Sequence, residues 1–206
     1  MGVFSRTTHK APEEMQVKLD LSGEILRHTL EGLITACEER GGIERYTYAL
    51  QLRSDMFKES FSFKNPVAPD EETLQRLCSF MPTVRRRIAP YIEDKQKNQL
   101  LKDALLALLD GAEDTANTDD RIESFCKVFP KDKKHRWVRD FAGEILHGTD
   151  PERYPLMCRW IWDTKSNTGI LREVWFSDNI DHKIIDVADT YQTFITLRQE
   201  LSQYLS

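Results

Sequence analysis

The sequence is poor in glycine, has no paired cysteines and contains no long apolar run, and each shortage closes off a class of function. Nine glycines in 206 residues leave few loops whose backbone amides could cradle a phosphate. No dinucleotide fingerprint, phosphate-binding loop or Gly-x-Ser-x-Gly elbow occurs, so the common signatures of nucleotide binding and serine hydrolysis are missing. Cys37, Cys78, Cys126 and Cys158 lie 32 to 48 residues apart, unlike the cysteines of a disulfide scaffold or a zinc ribbon. Each sits among apolar neighbours, where a thiol acts as a small core residue rather than a nucleophile. These absences favour a non-catalytic protein over an enzyme and imply no cofactor.

The most apolar stretch, residues 100–109, is interrupted by Lys102 and Asp103 and falls well short of the ~18 residues that span a bilayer. The opening Met1-Gly2-Val3-Phe4-Ser5-Arg6 lacks the apolar segment of a signal peptide. Arg6 stands where a myristoylation pattern wants Ser or Thr. With dispersed thiols, this leads to the expectation of a reducing, cytoplasmic setting without a membrane partner. Nor is there a surplus of positive charge: 34 acidic residues outnumber 29 basic ones, so nothing pulls the whole molecule toward nucleic acid.

What is present is an ample store of apolar residues, 40% of the chain with 10% aromatic, enough for the core of one domain. The spacing is helical. In residues 22–40, Leu26, Leu30, Leu33, Ile34 and Cys37 recur at three and four, with Ser22 as N-cap and Gly41-Gly42 as the stop. Tyr46, Tyr48, Leu50 and Leu52 alternate as in a strand, but a lone strand would leave its backbone unpaired, so residues 46–52 favour helix. Residues 57–69 predict an aromatic-pinned loop, and Asp70-Glu71-Glu72 predict a helix start. A short helix is expected from Pro82 to Pro90, and a long one over 94–109 closed by Gly111. Two more follow at 119–129 and 131–146, the second stopped by Gly148. Short helices and turns fill 149–176, and a long amphipathic helix covers 182–205. The expected architecture is all-α, an irregular bundle of about seven to nine helices: a flexible arm over 1–13, then one domain over 14–206 with a sub-boundary at 111–118.

Four groups of residues could carry function. Residues 153–175 hold three of the four tryptophans together with several arginines, the side chains that dominate binding hot spots. Arg153, Tyr154, Arg159, Trp162 and Arg172 are the candidate partner-binding residues, and the alternative is that the rings are core. Helical spacing puts Arg159 and Trp162 on one face and Trp160 on another. A second group is basic: Arg85, Arg86 and Arg87, with Lys131, Lys133, Lys134 and Arg136, could meet nucleic acid. A helix would spread the three consecutive arginines around its circumference, so they could not all face one phosphate strand. Third, six acids and one base between 110 and 123 precede six bases and one acid between 127 and 139, blocks that could neutralise each other. Fourth, Glu144 and His147 have the Glu-x-x-His spacing of di-metal bundles. The facing ligands are missing, and His147 also suits a helix C-terminus.

The expectation is therefore a helical accessory or adaptor subunit that binds a protein partner. A nucleic-acid-associated component of a larger machine is the first alternative. A helical metal or cofactor enzyme is the second.

Overall fold

The computed structural model describes residues 17–204, which leaves the expected arm at 1–13 outside the described residues. Within them helices are the regular secondary structure, joined by turns and extended segments, with two isolated β-bridges and no named strand. Helix α1, Gly23–Glu38, starts where Ser22 Oγ accepts from the Ile25 amide at 3.3 Å. It stops at Gly41 and Gly42, whose φ values of 103° and 92° lie in the region glycine reaches freely. The chain reverses there and returns as α2, Ile43–Ser60. The alternating residues 46–52 are thus helical, their backbone bonds closed within α2 itself. The helix also runs past Phe57, which is fully buried, so the loop begins at Phe61 and not at 57.

Helix α3, Glu71–Ser79, is capped by Asp70. Here the expectation of a helix from Pro82 to Pro90 is corrected. Residues 82–87 form turns, and Pro90 lies in the first turn of α4, Ala89–Glu93, where a missing amide costs nothing. Helix α5, Lys95–Leu109, has Asp94 as its cap, accepting from the Gln96 and Lys97 amides at 3.0 Å each. Across residues 111–118, Tyr154 Oη donates to the Ala112 carbonyl at 2.5 Å, and Arg121 Nη1 donates to the Leu108 carbonyl at 3.1 Å. Helix α6, Thr118–Lys127, then leads to a 3-10 turn, Lys133–His135, capped by Asp132.

Helix α7, Trp137–Thr149, is the centre of the molecule. Trp137, Val138, Phe141, Ala142, Ile145 and Leu146 are all buried, and α2 and α6 pack along it. Gly148 is not its stop, because it lies within the last turn. It is small because Phe57 of α2 sits on it: a Cβ there would come within 2.2 Å of the Phe57 ring.

The terminal helix is shorter than expected. After α8, Ile170–Glu173, and a 3-10 turn, Ile180–His182, residues 183–190 are non-helical, and α9 spans only Tyr191–Tyr204. Side chains of the preceding segment claim the strap's backbone. Trp162 Nε1 and Thr164 Oγ1 each donate to the Val187 carbonyl at 2.8 Å, and Asn167 Nδ2 donates to the Ile185 carbonyl at 2.9 Å. Ile184 is 81% exposed and Ile185 is buried, which is the alternation of an extended chain. Asp119 accepts from the Tyr191 amide at 3.0 Å and so opens α9. One apolar cluster, from Leu19 to Leu197, joins α2 through α9, while no residue of α1 belongs to it.

Candidate functional site

Residues 153–175 do not form a helix over most of their length, and that alters which side chains they present. Trp162 and Tyr154 are interior, fully packed and hydrogen-bonded to backbone carbonyls. The expectation that they line a reachable groove is corrected on that ground. Trp160, which helical spacing pointed elsewhere, is the ring left 45% exposed. Residues 158–162 form a turn that pairs back on residues 169–171. The Ile170 amide donates to the Trp160 carbonyl at 3.0 Å, and the Leu171 amide to the Ile161 carbonyl at 3.0 Å. Gly169, at φ 128°, permits this approach, since a Cβ would lie 2.6 Å from the Ile161 oxygen. Ile170 remains partly exposed beside the indole's backbone.

Arg159, the residue before Trp160 in the chain, is held rigidly by Asp140. Its Nη2 donates to Asp140 Oδ2 at 2.7 Å, its Nε lies 3.2 Å from both carboxylate oxygens, and its amide donates to Oδ1 at 2.9 Å. Asp140 is wholly buried on α7, while the Arg159 side chain is 26% exposed. A carboxylate that accepts this many N–H groups fixes the guanidinium plane against the core. Arg172 is used differently. Its guanidinium donates to Asn167 Oδ1 at 2.6 Å, to the Lys183 carbonyl at 2.8 Å and to the Ile180 carbonyl. It ties the strap to α8. Arg153 is half-buried, 3.6 Å from Asp150, and its carbonyl accepts from Tyr191 Oη.

Arg159 opens into a cleft of about 800 Å³ between α6, the 130–136 connection, α7 and the start of α9. Asp119 and Glu123 line it, as do Lys131, Arg136, Arg139 and Lys165. The two charge blocks meet here but only partly pair with each other, through Lys127 and Glu123 at 3.0 Å. Arg136 instead reaches Asp163 at 2.7 Å, and Arg139 reaches Asp189 at 3.4 Å. Burial pushes Asp163 up, but hydrogen bonds from Ser166 and the charge of Arg136 outweigh it and hold the carboxyl below its usual range. Burial raises Asp119, against the hydrogen bond from the Tyr191 amide. The Cys126 thiol, also at the cleft, is pushed up by burial, as are Cys158 and Cys78, the last to about 12. All three are thiols, not thiolates, near neutral pH.

The basic groups come together. Arg87 Nη1 donates to the Lys134 carbonyl at 3.3 Å, joining the 82–88 turn to the 3-10 turn 47 residues later. Arg85, Arg86, Arg87, Lys131, Lys133 and Lys134 are exposed. Among the described residues no carboxylate stands within ion-pair distance of any of the six. Arg136 departs from this group, being engaged with Asp163.

Glu144 and His147 are spoken for. Glu144, buried on α7, takes a short ion pair from Arg53 of α2; burial raises its carboxyl and the guanidinium opposes the rise. His147 Nδ1 donates to the Tyr154 carbonyl at 2.8 Å, and burial holds its imidazole below the ordinary range. Among the described residues no three His, Cys, Asp or Glu side chains are grouped to hold a metal ion, and no helix is long and apolar enough to cross a membrane. Sequence reasoning missed Asp140 and Trp160. A buried acid in the middle of an apolar helix was the available signal for the first. The second depended on residues 155–169 being turns.

No family model, curated protein or solved structure matches the chain.

Proposed function

We propose that this protein is a non-catalytic helical accessory subunit that binds a protein partner through Trp160 and the preceding residue Arg159, which lines the charged cleft. The observation that supports it is a 45% exposed indole directly following, in the chain, an arginine locked by a buried aspartate. A preorganised arginine loses little freedom on binding, and an exposed flat ring excludes water from whatever contact it makes. Partners with an acidic and an apolar side chain side by side suit this surface. The test is affinity purification of the wild-type chain and of Trp160→Ala, each with and without nuclease. The reading expects a protein retained after nuclease treatment by the wild type and lost by the variant, with helical circular dichroism unchanged. Equal capture by both proteins would overturn it.

The second reading, association with nucleic acid, is favoured by the convergence of the 82–88 turn with Lys133 and Lys134. It expects capture that vanishes with nuclease, falls with rising salt, and is lost in Arg85→Glu/Arg86→Glu.

A further inference from the structure

The charged cleft contains cations whose hydrogen-bond donors the fold leaves partly unused. Arg136 and Arg139 stand three residues apart at the start of α7, on one side of the helix, and both line the cleft. Arg136 reaches Asp163 through Nη2 at 2.7 Å, and Arg139 reaches Asp189 through Nη2 at 3.4 Å. Among the described residues nothing bonds Nε or Nη1 of either guanidinium. Lys165 is brought to the same place by the same acid. Asp163 takes Arg136 on Oδ2 and the Lys165 amide on Oδ1, the latter at 3.1 Å. Lys165 is exposed, and among the described residues no carboxylate stands within ion-pair distance of its ammonium. The charges of Arg139 and Lys165 both act on the Cys126 thiol of α6, which lines the same cleft.

The acids of the cleft are more fully engaged than its lysines. Asp163 and Asp189 hold the arginines, Glu123 pairs with Lys127, and Asp119 and Asp132 accept from backbone amides. Among the described residues that line the cleft, Asp120 is the acid left without such a donor, against Lys131, Lys133 and Lys165 without an acid. We propose that this cleft binds a phosphate group, held by Arg136, Arg139 and Lys165. A carboxylate has one charge and two oxygens, which a single cation satisfies. Three separate donor groups with positive charge to spare match the near-double charge and three terminal oxygens of a phosphate monoester. The carboxylates that hold the two arginines place their guanidinium groups in advance, which lowers the ordering cost of binding. At about 800 Å³ the cleft also has room for the group that carries the phosphate, a modified protein side chain or a free ester. The site uses neither Trp160 nor the Arg159 guanidinium and does not depend on the partner reading.

The test is calorimetric titration of the full chain at low salt with glycerol phosphate and with N-acetyl-phosphoserine amide, and with N-acetyl-serine amide as the blank. The proteins are the wild type, Lys165→Glu and Lys58→Glu. Both lysines are exposed, and Lys58 lies on α2 outside the cleft, so the fold needs neither and the charge change is the same. The wild type is expected to bind at least one phosphate probe and not the blank, the tighter probe identifying the carrier. Losing a charge-assisted bond weakens Lys165→Glu by at least about tenfold, while Lys58→Glu binds like the wild type. A wild type that binds neither phosphate probe, or binds the blank as well, overturns the proposal. So does equal affinity in Lys165→Glu, or an equal loss in Lys58→Glu, which would reduce the effect to overall charge.

Discussion

Replacing Gly148 by alanine sets two effects against each other, and the structure decides between them. Helix propensity alone favours the change, because alanine in a helix is worth about 1 kcal/mol over glycine. Packing opposes it. The new Cβ would stand 2.2 Å from Phe57 Cδ1 and 2.5 Å from its Cγ, and the Phe57 ring is fully buried with no exposed end to swing away. Overpacking a closed core costs about 1–3 kcal/mol, and an overlap this deep belongs at the upper end. The net expectation is a loss of about 2 kcal/mol, which for a chain this size lowers the melting temperature by about 4–8 °C. Circular dichroism melts and urea titrations read it directly. Because the loss comes from one pair of groups, Phe57→Leu in the Gly148→Ala background is expected to cost less than the two changes summed. A Gly148→Ala protein as stable as the wild type, or more so, would refute the reasoning and place the α2–α7 contact elsewhere.

Further outcomes follow from the same geometry. Asp140→Asn keeps the shape but removes the charge that four N–H···O contacts with Arg159 rely on. Breaking a buried pair costs about 3–5 kcal/mol, and the partial exposure of Arg159 reduces this to about 2–3 kcal/mol in chemical denaturation. Full stability in that variant would show the pair to be idle. On acidification, His147 supplies a stability loss of definite sign. Burial lowers its folded pKa, so the unfolded chain binds the proton more readily. The stability is complete above the unfolded value near ~6.5 and drains away as pH falls through it. Burial raises Glu144, which acts with the opposite sign at lower pH, around and above the ordinary carboxyl range. His147→Gln is expected to flatten the slope of urea midpoint against pH below ~6.5. An unchanged slope would assign the effect to other groups.

Much of the fold could be read from spacing because local signals agreed with tertiary packing. Ser22 caps the helix it was expected to cap, and Asp70 and Asp94 stand at the helix starts expected near them, each as the cap. Residues 46–52 are helical despite their alternation, because α2 satisfies its own backbone. The failures share one cause, a long-range contact that overrides a local signal. Gly148 reads as a stop but is a seat for Phe57 from far upstream. Residues 183–190 carry helical spacing, yet Trp162, Thr164 and Asn167 take their carbonyls. Trp162 and Trp160 exchange roles because Gly169 folds the segment into a turn, and a periodicity argument assumes a helix. The basic groups at 85–87 and 131–134 were visible separately. Their meeting through Arg87 was not, since nothing local links residues 47 apart.

The central claim is that Arg159 and Trp160 form a prepared contact for another protein. Calorimetric titration of the captured partner with the wild type and with Trp160→Ala tests it most directly. A hot-spot ring is worth about 2 kcal/mol or more, so the account predicts affinity weakened by about thirty-fold or more, with the melting temperature nearly unchanged. Equal affinity for both proteins would contradict it.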